Sequence, residues 1–457
     1  SRRIGGKPAG YYDVEGQLKP GEQILTNPDE ANLLNATKIS GRNQNGLGLG
    51  LFNAVTGNTY ATLKGEDMDK RSVLTQPFTN YNMMVADKNF GQNSYVNLIN
   101  TNYYEPSTGR MEDVIGSAFK VSPPGNYYAL WGNAAYSMKK AGSGEHMVTG
   151  EYVDARLGKI SGNWRYNYRL RLLSDDYDHN AMGYLRRNND LRHSVDLRYG
   201  SYEPHGYFQS WSSSLEMDYI SLYQPRDFSS LDMEFSGHAT LSNYVTLGLW
   251  SHYSPVESND FFEPRVEDRV FKRPASHYLM SWLSTDYRKT LALDIRAGYG
   301  KGQGTSYNYE VGPRIRINHK ALFQYQFEYD LDAGQKGYVA DLYPERDTIV
   351  FGKRNKETYT NSLSGSYVFD NKSWITLNVR HYWSRIDYSR FYNLKENGYL
   401  EAYPEYRENE DLNFNVFNVD LMYSWNFAPG SFLNVGWKNS IYQDQQIRHN
   451  DFPGFIP

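Results

Sequence analysis

Polar and apolar residues alternate with a period of two along most of the chain. In WRYNYRLRLL, residues 164–173, Trp164, Tyr166, Tyr168, Leu170 and Leu172 share one parity, and Arg165, Asn167, Arg169 and Arg171 share the other. In ALFQYQFEYDL the apolar set is Ala321, Phe323, Tyr325, Phe327, Tyr329 and Leu331, against Leu322, Gln324, Gln326, Glu328 and Asp330. Successive side chains of a strand point to opposite faces, so each stretch separates two environments. The same reading predicts strands near 36–42, 47–55, 81–88, 93–101, 113–121, 127–138, 145–156, 163–174, 191–201 and 207–222. It continues with 231–241, 243–254, 277–287, 290–300, 306–318, 320–331, 358–369, 373–385, 412–427 and 431–442. Almost no useful stretch carries a helical period, so the expected class is all-β.

The connections alternate in length. Short ones such as 42–46, 318–320, 369–373 and 427–431 are rich in turn formers, whereas 56–80, 175–190, 255–276, 332–357 and 387–411 are long and polar. A strand at 113–121 keeps this alternation in phase. Short turns at one end and long loops at the other predict a large transmembrane up-and-down antiparallel β-barrel of about 20–22 strands. Its turns would be periplasmic and its long loops extracellular. The expected organisation is a single barrel domain over 1–457. SRRIG at the start would be the tail of a preceding strand, and one strand would follow the end of the chain. The chain has no basic-then-apolar leader, which reads as a mature or trimmed piece.

Composition refines the picture. The chain has 457 residues, a formal charge of -4, 41 Tyr, 21 Phe, 9 Trp and no Cys. The charge gives no basic footprint for nucleic acid. Without cysteine there is no disulfide, thiolate metal site or thiol nucleophile. No stretch approaches the roughly 18 consecutive apolar residues of a transmembrane helix, whereas a transmembrane strand needs only about 10 alternating ones. Trp211, Tyr219, Trp250, Trp383 and Trp425 fall toward strand ends, as interfacial aromatic girdles require.

Candidate sites lie on the polar parity. Asp294, Arg296, Glu310, Arg314, Arg316, Glu328 and Asp330 occupy consecutive strands and form a charged ladder, read as a selectivity lining or, more plainly, as a wall whose charges neutralise one another. Arg165, Arg169 and Arg171, with Arg198 on the following strand, form a basic strip that could guide an anion or pair with Asp196 and Glu216. DLDAG at 330–334 opens like a calcium loop but lacks the downstream glutamate, so a strand end is the simpler reading. DDYDH at 175–179 reads as a divalent-cation loop or as solvated charge. The loop 388–411 carries Tyr388, Tyr392, Tyr399, Tyr403 and Tyr406, a mixture suited to stacking on sugar rings or to internal packing, and 260–276 has the same ambiguity. No catalytic motif emerges: the ten His are scattered, and GxSxG, HExxH and glycine-rich phosphate loops are missing. The expectation is therefore a non-enzyme with no metal and no cofactor.

The stretches SRRIGG (1–6), ATKISGRNQNGLGLGLFNAVT (36–56), NSYVNLINTN (93–102) and GKISGNWRYNYRLRLLSDDYDHNAMGYLRRNND (158–190) resemble an outer-membrane barrel family of Bacteroidota. That family is of unknown function and usually follows a domain similar to carbohydrate-binding module family nine. GYLRRNND is the most specific piece. The resemblance implies a Gram-negative outer membrane, with lipid and lipopolysaccharide as surroundings, and it supplies no catalytic residue. Relative to that pattern the soluble N-terminal domain and the closing strand are missing. Three functions follow as expectations: a passage for solute or polymer or a membrane scaffold, a non-transporting subunit of a secretion or surface-protein complex, and a surface glycan-binding or glycan-processing protein. Partners would be other outer-membrane or surface proteins, or glycans.

Overall fold

The computed structural model describes residues 4–65, 69–342 and 348–445. Among them the one helix is a single 3-10 helix at Tyr12–Gln17, and the other regular elements are strands. The ends that the sequence reading linked to outlying strands, 1–3 and 446–457, lie outside the described residues. The chain divides into two compact units, Ser1–Val195 with Ile220–Asp227, and Asp196–Tyr219 with Phe228–Pro457.

In the first unit the strands Leu33–Arg42, Leu47–Thr56, Thr79–Phe90, Ser94–Glu105, Arg110–Val121, Tyr128–Lys140, Met147–Lys159 and Trp164–Leu173 each pair antiparallel with the next. In the second, Phe228–Leu241, Thr246–Ser254, Ser276–Ser284, Leu291–Lys301, Thr305–Ile317, Ala321–Asp341, Ile349–Val368, Ser373–Leu394, Leu412–Ala428 and Ser431–Gln445 do the same. Asp190–Ser201 and Phe208–Ser221 straddle the division. The strand expected at 113–121 is present as Arg110–Val121.

Side-chain capture of backbone groups makes the short turns. Asn43 Oδ1 accepts from Leu47 N at 2.9 Å, and Gly46 takes the positive φ that the turn needs. At 369–373 one Asp370 oxygen accepts from Lys372 N and Ser373 N, each at 2.8 Å. Asp286 does likewise for Arg288, and the Arg288 guanidinium with its own N–H holds the Asp286 carboxyl down to about 2.

The long connections depart from the sequence reading. The segment expected as a loop at 56–80 holds Thr59–Lys64 and Lys70–Gln76, which pair with Gln23–Thr26 into a separate antiparallel sheet. That sheet and the 3-10 helix close on their own core of Val14, Ala61, Leu63 and Val73. The described residues of 332–357 are largely strand, and 387–394 continues a strand, because Ala321–Asp341, Ile349–Val368 and Ser373–Leu394 run for 21, 20 and 22 residues. Their far ends, with the ribbon Ser258–Asp260 and Phe271–Arg273, enclose a second small core of Phe271, Ile349, Phe351 and Leu394.

Burial is inverted relative to a water-soluble sandwich. The meander strands expose large apolar side chains, with Ile39 66%, Leu49 59%, Leu157 61% and Trp164 61% accessible, and bury polar ones, with Glu112 4%, Asp154 6% and Glu310 8% accessible. Period-two alternation puts these on opposite faces, an apolar exposed face and a polar covered one.

Candidate functional site: a roofed cavity on the polar face

A register row across five neighbouring strands of the first unit brings Ala54, Tyr81, Tyr103, Glu112 and Lys139 side by side. Tyr81 and Tyr103 meet edge to face with ring centroids 5.3 Å apart, and both are buried. Arg110 bonds Glu112 at 2.6 Å and lies 3.9 Å from Glu105, whose carboxylate also accepts the Tyr103 hydroxyl. The row is thus a polar floor with an aromatic step.

The connection 174–189 folds back over this floor as a strap. Lys139 Nζ meets Asp178 Oδ2 at 2.6 Å, and Ser137 Oγ accepts from Asp178 N at 3.1 Å. Ala181 and Met182 pack on Ala54, Tyr81 and Tyr103, together with Ile4 and Phe52. Tyr177 is buried against Tyr152, with centroids 5.7 Å apart. Burial, with the neighbouring Tyr152 and Asp178, pushes the Tyr177 hydroxyl up to about 12. For Asp178 burial acts upward, but the Lys139 ammonium and the Asn180 N–H outweigh it and hold the carboxyl below its usual range. The small N-terminal sheet supplies the remaining roof, where Gln76 Oε1 accepts from Ala9 N at 3.2 Å. Between them lies a half-open pocket of about 390 Å³ lined by Lys7, Gln76, Arg110, Glu112, Lys139, Asp178, Asn180 and the two tyrosines.

Of these lining residues only Asp178, within DDYDH, was a sequence candidate. Tyr81, Met83 and Val85 carry the apolar parity of their strand, and the alternation assigns that parity to the exposed face. Yet Met84 is 55% accessible, so the opposite parity is the exposed one. The strap explains the reversal, since it gives apolar side chains on the polar face something to pack against. DDYDH offered a partial signal, although Asp178 is ion-paired and Tyr177 buried rather than solvated.

The other sequence candidates lie elsewhere. Arg169 and Arg171 face Asp154: Arg171 is its register partner, and Arg169 Nε donates to Asp154 Oδ1 at 3.0 Å. Arg156 lies 3.9 Å from the same carboxylate, and Arg165 is half-buried on the same parity. Asp154 is therefore the organising anion of the strip, and the sequence reading did not name it. Arg198, in the second unit, pairs with Asp196 at 2.8 Å, as expected. In the ladder Arg296 meets Glu310 at 2.7 Å and Glu310 stands opposite Glu328. Asp330 accepts from Asn308 at 2.6 Å, and Asp294 from the Tyr287 hydroxyl. Arg314 lies 5.0 Å from the Tyr287 ring centroid, and Arg316 is exposed beside the short turn, away from Glu310. Asp330, Asp332 and Gly334 belong to a continuous strand rather than a calcium loop.

The five tyrosines do not share one loop. Tyr388 and Tyr392 lie within Ser373–Leu394: Tyr388 stacks on Phe391 at 5.8 Å and accepts from Arg354, and Tyr392 packs on the Phe271 core. Tyr399 donates to Glu257 at 3.1 Å, and Tyr406 contacts Phe391 and donates to Glu410. Tyr403 is fixed by its N–H to Phe391 O. The rings of Tyr388, Tyr392 and Tyr406 pack internally, whereas Tyr399 is 49% accessible. Trp250 also departs from expectation, since it lies on the parity opposite exposed Leu247 and Leu249, against Tyr278.

A search of curated proteins gave no match. A family model matches residues 1–454, and the chain belongs to the family described as Domain of unknown function (DUF5916).

Proposed function

We propose that the strands form the wall of a transmembrane β-barrel in a Gram-negative outer membrane, acting as a passage for solute or polymer or as a membrane scaffold. The observation that carries this reading is the apolar face of the second unit. Tyr309, Tyr329, Tyr359 and Trp383 form one register row on it. Farther along the last two of these strands and onto Leu412–Ala428, Tyr367, Ile375 and Tyr423 form a second row with two aromatic members. From Tyr359 to Tyr367 along one strand is roughly 27 Å at about 3.4 Å per residue. At a barrel strand's tilt of about 40° that is about 21 Å of height, comparable to a barrel's apolar band of about 25 Å edged by aromatic girdles. Between the rows lie Leu363, Val379 and Val419, and the opposite parity of the same strands carries Ser362, Ser364, Asn378, Arg380, Asn418 and Asp420.

A cysteine-free chain makes the test direct. An environment-sensitive dye on Leu363→Cys in proteoliposomes should report hydrocarbon, and the same dye on Ser364→Cys should report water. Matching aqueous signals at both positions would remove the membrane reading. Liposome swelling then separates passage from scaffold.

A second reading, a subunit of a surface or secretion complex, is favoured by the far ends of the long strands. Their length exceeds what the bilayer requires, and they carry the Phe271 core beyond the aromatic row. Isolation in mild detergent as a lone chain would count against it.

A further inference from the structure

We infer that the roofed cavity of the first unit binds a neutral polyhydroxylated solute of about one or two sugar rings. Its lining sets Lys7, Arg110 and Lys139 against Glu112 and Asp178, and Glu105, outside the lining but 3.9 Å from Arg110, offsets the remaining positive charge. A small ion would gain no net attraction from such a lining. A hydroxyl-bearing ligand both donates and accepts, and here ammonium and guanidinium donors alternate with carboxylate acceptors around one space. Each lysine ammonium has three protons, and the bond to Asp178 uses one of those on Lys139. Charge-assisted hydrogen bonds of this kind are roughly twice as strong as neutral ones.

Shape agrees with chemistry. The volume, about 390 Å³, lies in the range of small-molecule sites, roughly 300–1,000 Å³. The Tyr81 and Tyr103 pair supplies an apolar step for the C–H face of a ring, while the strap and the N-terminal sheet flank the pocket and leave it partly open for entry. The inference is independent of whether the strands conduct, because it concerns occupancy and not passage.

The test is saturation-transfer NMR on the full chain in a sugar-free detergent, with glucose, galactose, maltose and cellobiose as probes. At least one probe should receive saturation from the protein. Ala181→Trp, which fills the cavity, should abolish the transfer, and Asp178→Asn should weaken binding at least tenfold while preserving shape. Heat-modifiable gel migration establishes that each variant is folded, and trypsin sensitivity of 174–189 establishes that the strap is in place. The inference is overturned if no probe shows transfer with the wild type. It is equally overturned if Ala181→Trp, folded and with its strap in place, leaves the transfer unchanged, or if acetate or phosphate displaces the sugars.

Discussion

The backbone of Tyr177 rests directly on Gly150. A Cβ built on Gly150 would stand 2.2 Å from both Tyr177 Cα and Tyr177 N, so any larger residue forces the strap away from the Met147–Lys159 strand. Gly150 is needed for this close approach and not for an unusual backbone angle.

Gly150→Ala should therefore release the strap without unfolding the meander. Overpacking of this kind costs about 1–3 kcal/mol, and about 1.4 kcal/mol is a tenfold change in population. Tryptic cleavage after the exposed Arg186 and Arg187 is expected to accelerate about tenfold or more, with heat-modifiable migration unchanged. Equal cleavage rates in the two proteins would mean that the strap is not held at this contact.

Leu363 lies midway between the two aromatic rows, 38% accessible on the apolar face. Leu363→Arg should lower the yield of folded protein in bilayers by about 2–4 kcal/mol, the cost of a cation on the lipid face near the midplane. Ser364→Arg, one residue along and on the other face, should be close to neutral. Folding titrations into vesicles distinguish the two, and similar losses at both positions would contradict the assignment of faces.

Arg296 and Glu310 are register partners, and Glu310 is only 8% accessible with Glu328 on its other side. Arg296→Met leaves two carboxylates facing each other without their cation, an imbalance expected to cost about 1–3 kcal/mol. Adding Glu310→Gln should recover most of that loss. The check is the urea midpoint of the single and double variants, and a double variant no better than the single would show that the pair is not the coupled unit.

Much of the fold was legible because a strand's period is written in its residues. Trp164 to Leu172 and Phe323 to Tyr329 alternate without interruption, and the structure exposes that apolar parity. Reading failed where distant segments meet. Tyr81 and Tyr103 look like members of an exposed face until the strap is known to cover them, and Asp154 becomes the partner of Arg169 and Arg171 only through register between strands. Tyr388 and Tyr392 read as loop residues because the strand carrying them continues past the apolar band, where the alternation no longer separates an exposed apolar face from a polar one. The same limit applies to the opposite face near the strap: Asn53 donates to Asn80 and Asn82 at 2.7 Å on the exposed side, a polar row that alternation alone assigns inward.

The N-terminal sheet carries a pH dependence that can be assigned to one contact. Arg71 grips Glu22 with Nε to Oε1 at 3.1 Å and Nη2 to Oε2 at 2.6 Å, and Lys19 N adds 2.9 Å. These bonds, Arg71 foremost, hold the Glu22 carboxyl down to about 2 in the folded chain. An unfolded glutamate titrates near about 4.3. Because the folded value is the lower one, the contribution is fully present above the unfolded value and is lost as pH falls from there toward about 2. Hydrogen exchange of Thr59–Lys64 and Lys70–Gln76, corrected for intrinsic rates, should show constant protection above about pH 5 and a progressive loss below it. Glu22→Gln should give a lower plateau that stays flat through the same interval. Identical acid profiles for the wild type and Glu22→Gln would place the pH dependence elsewhere and leave the Arg71 contact without a measurable role.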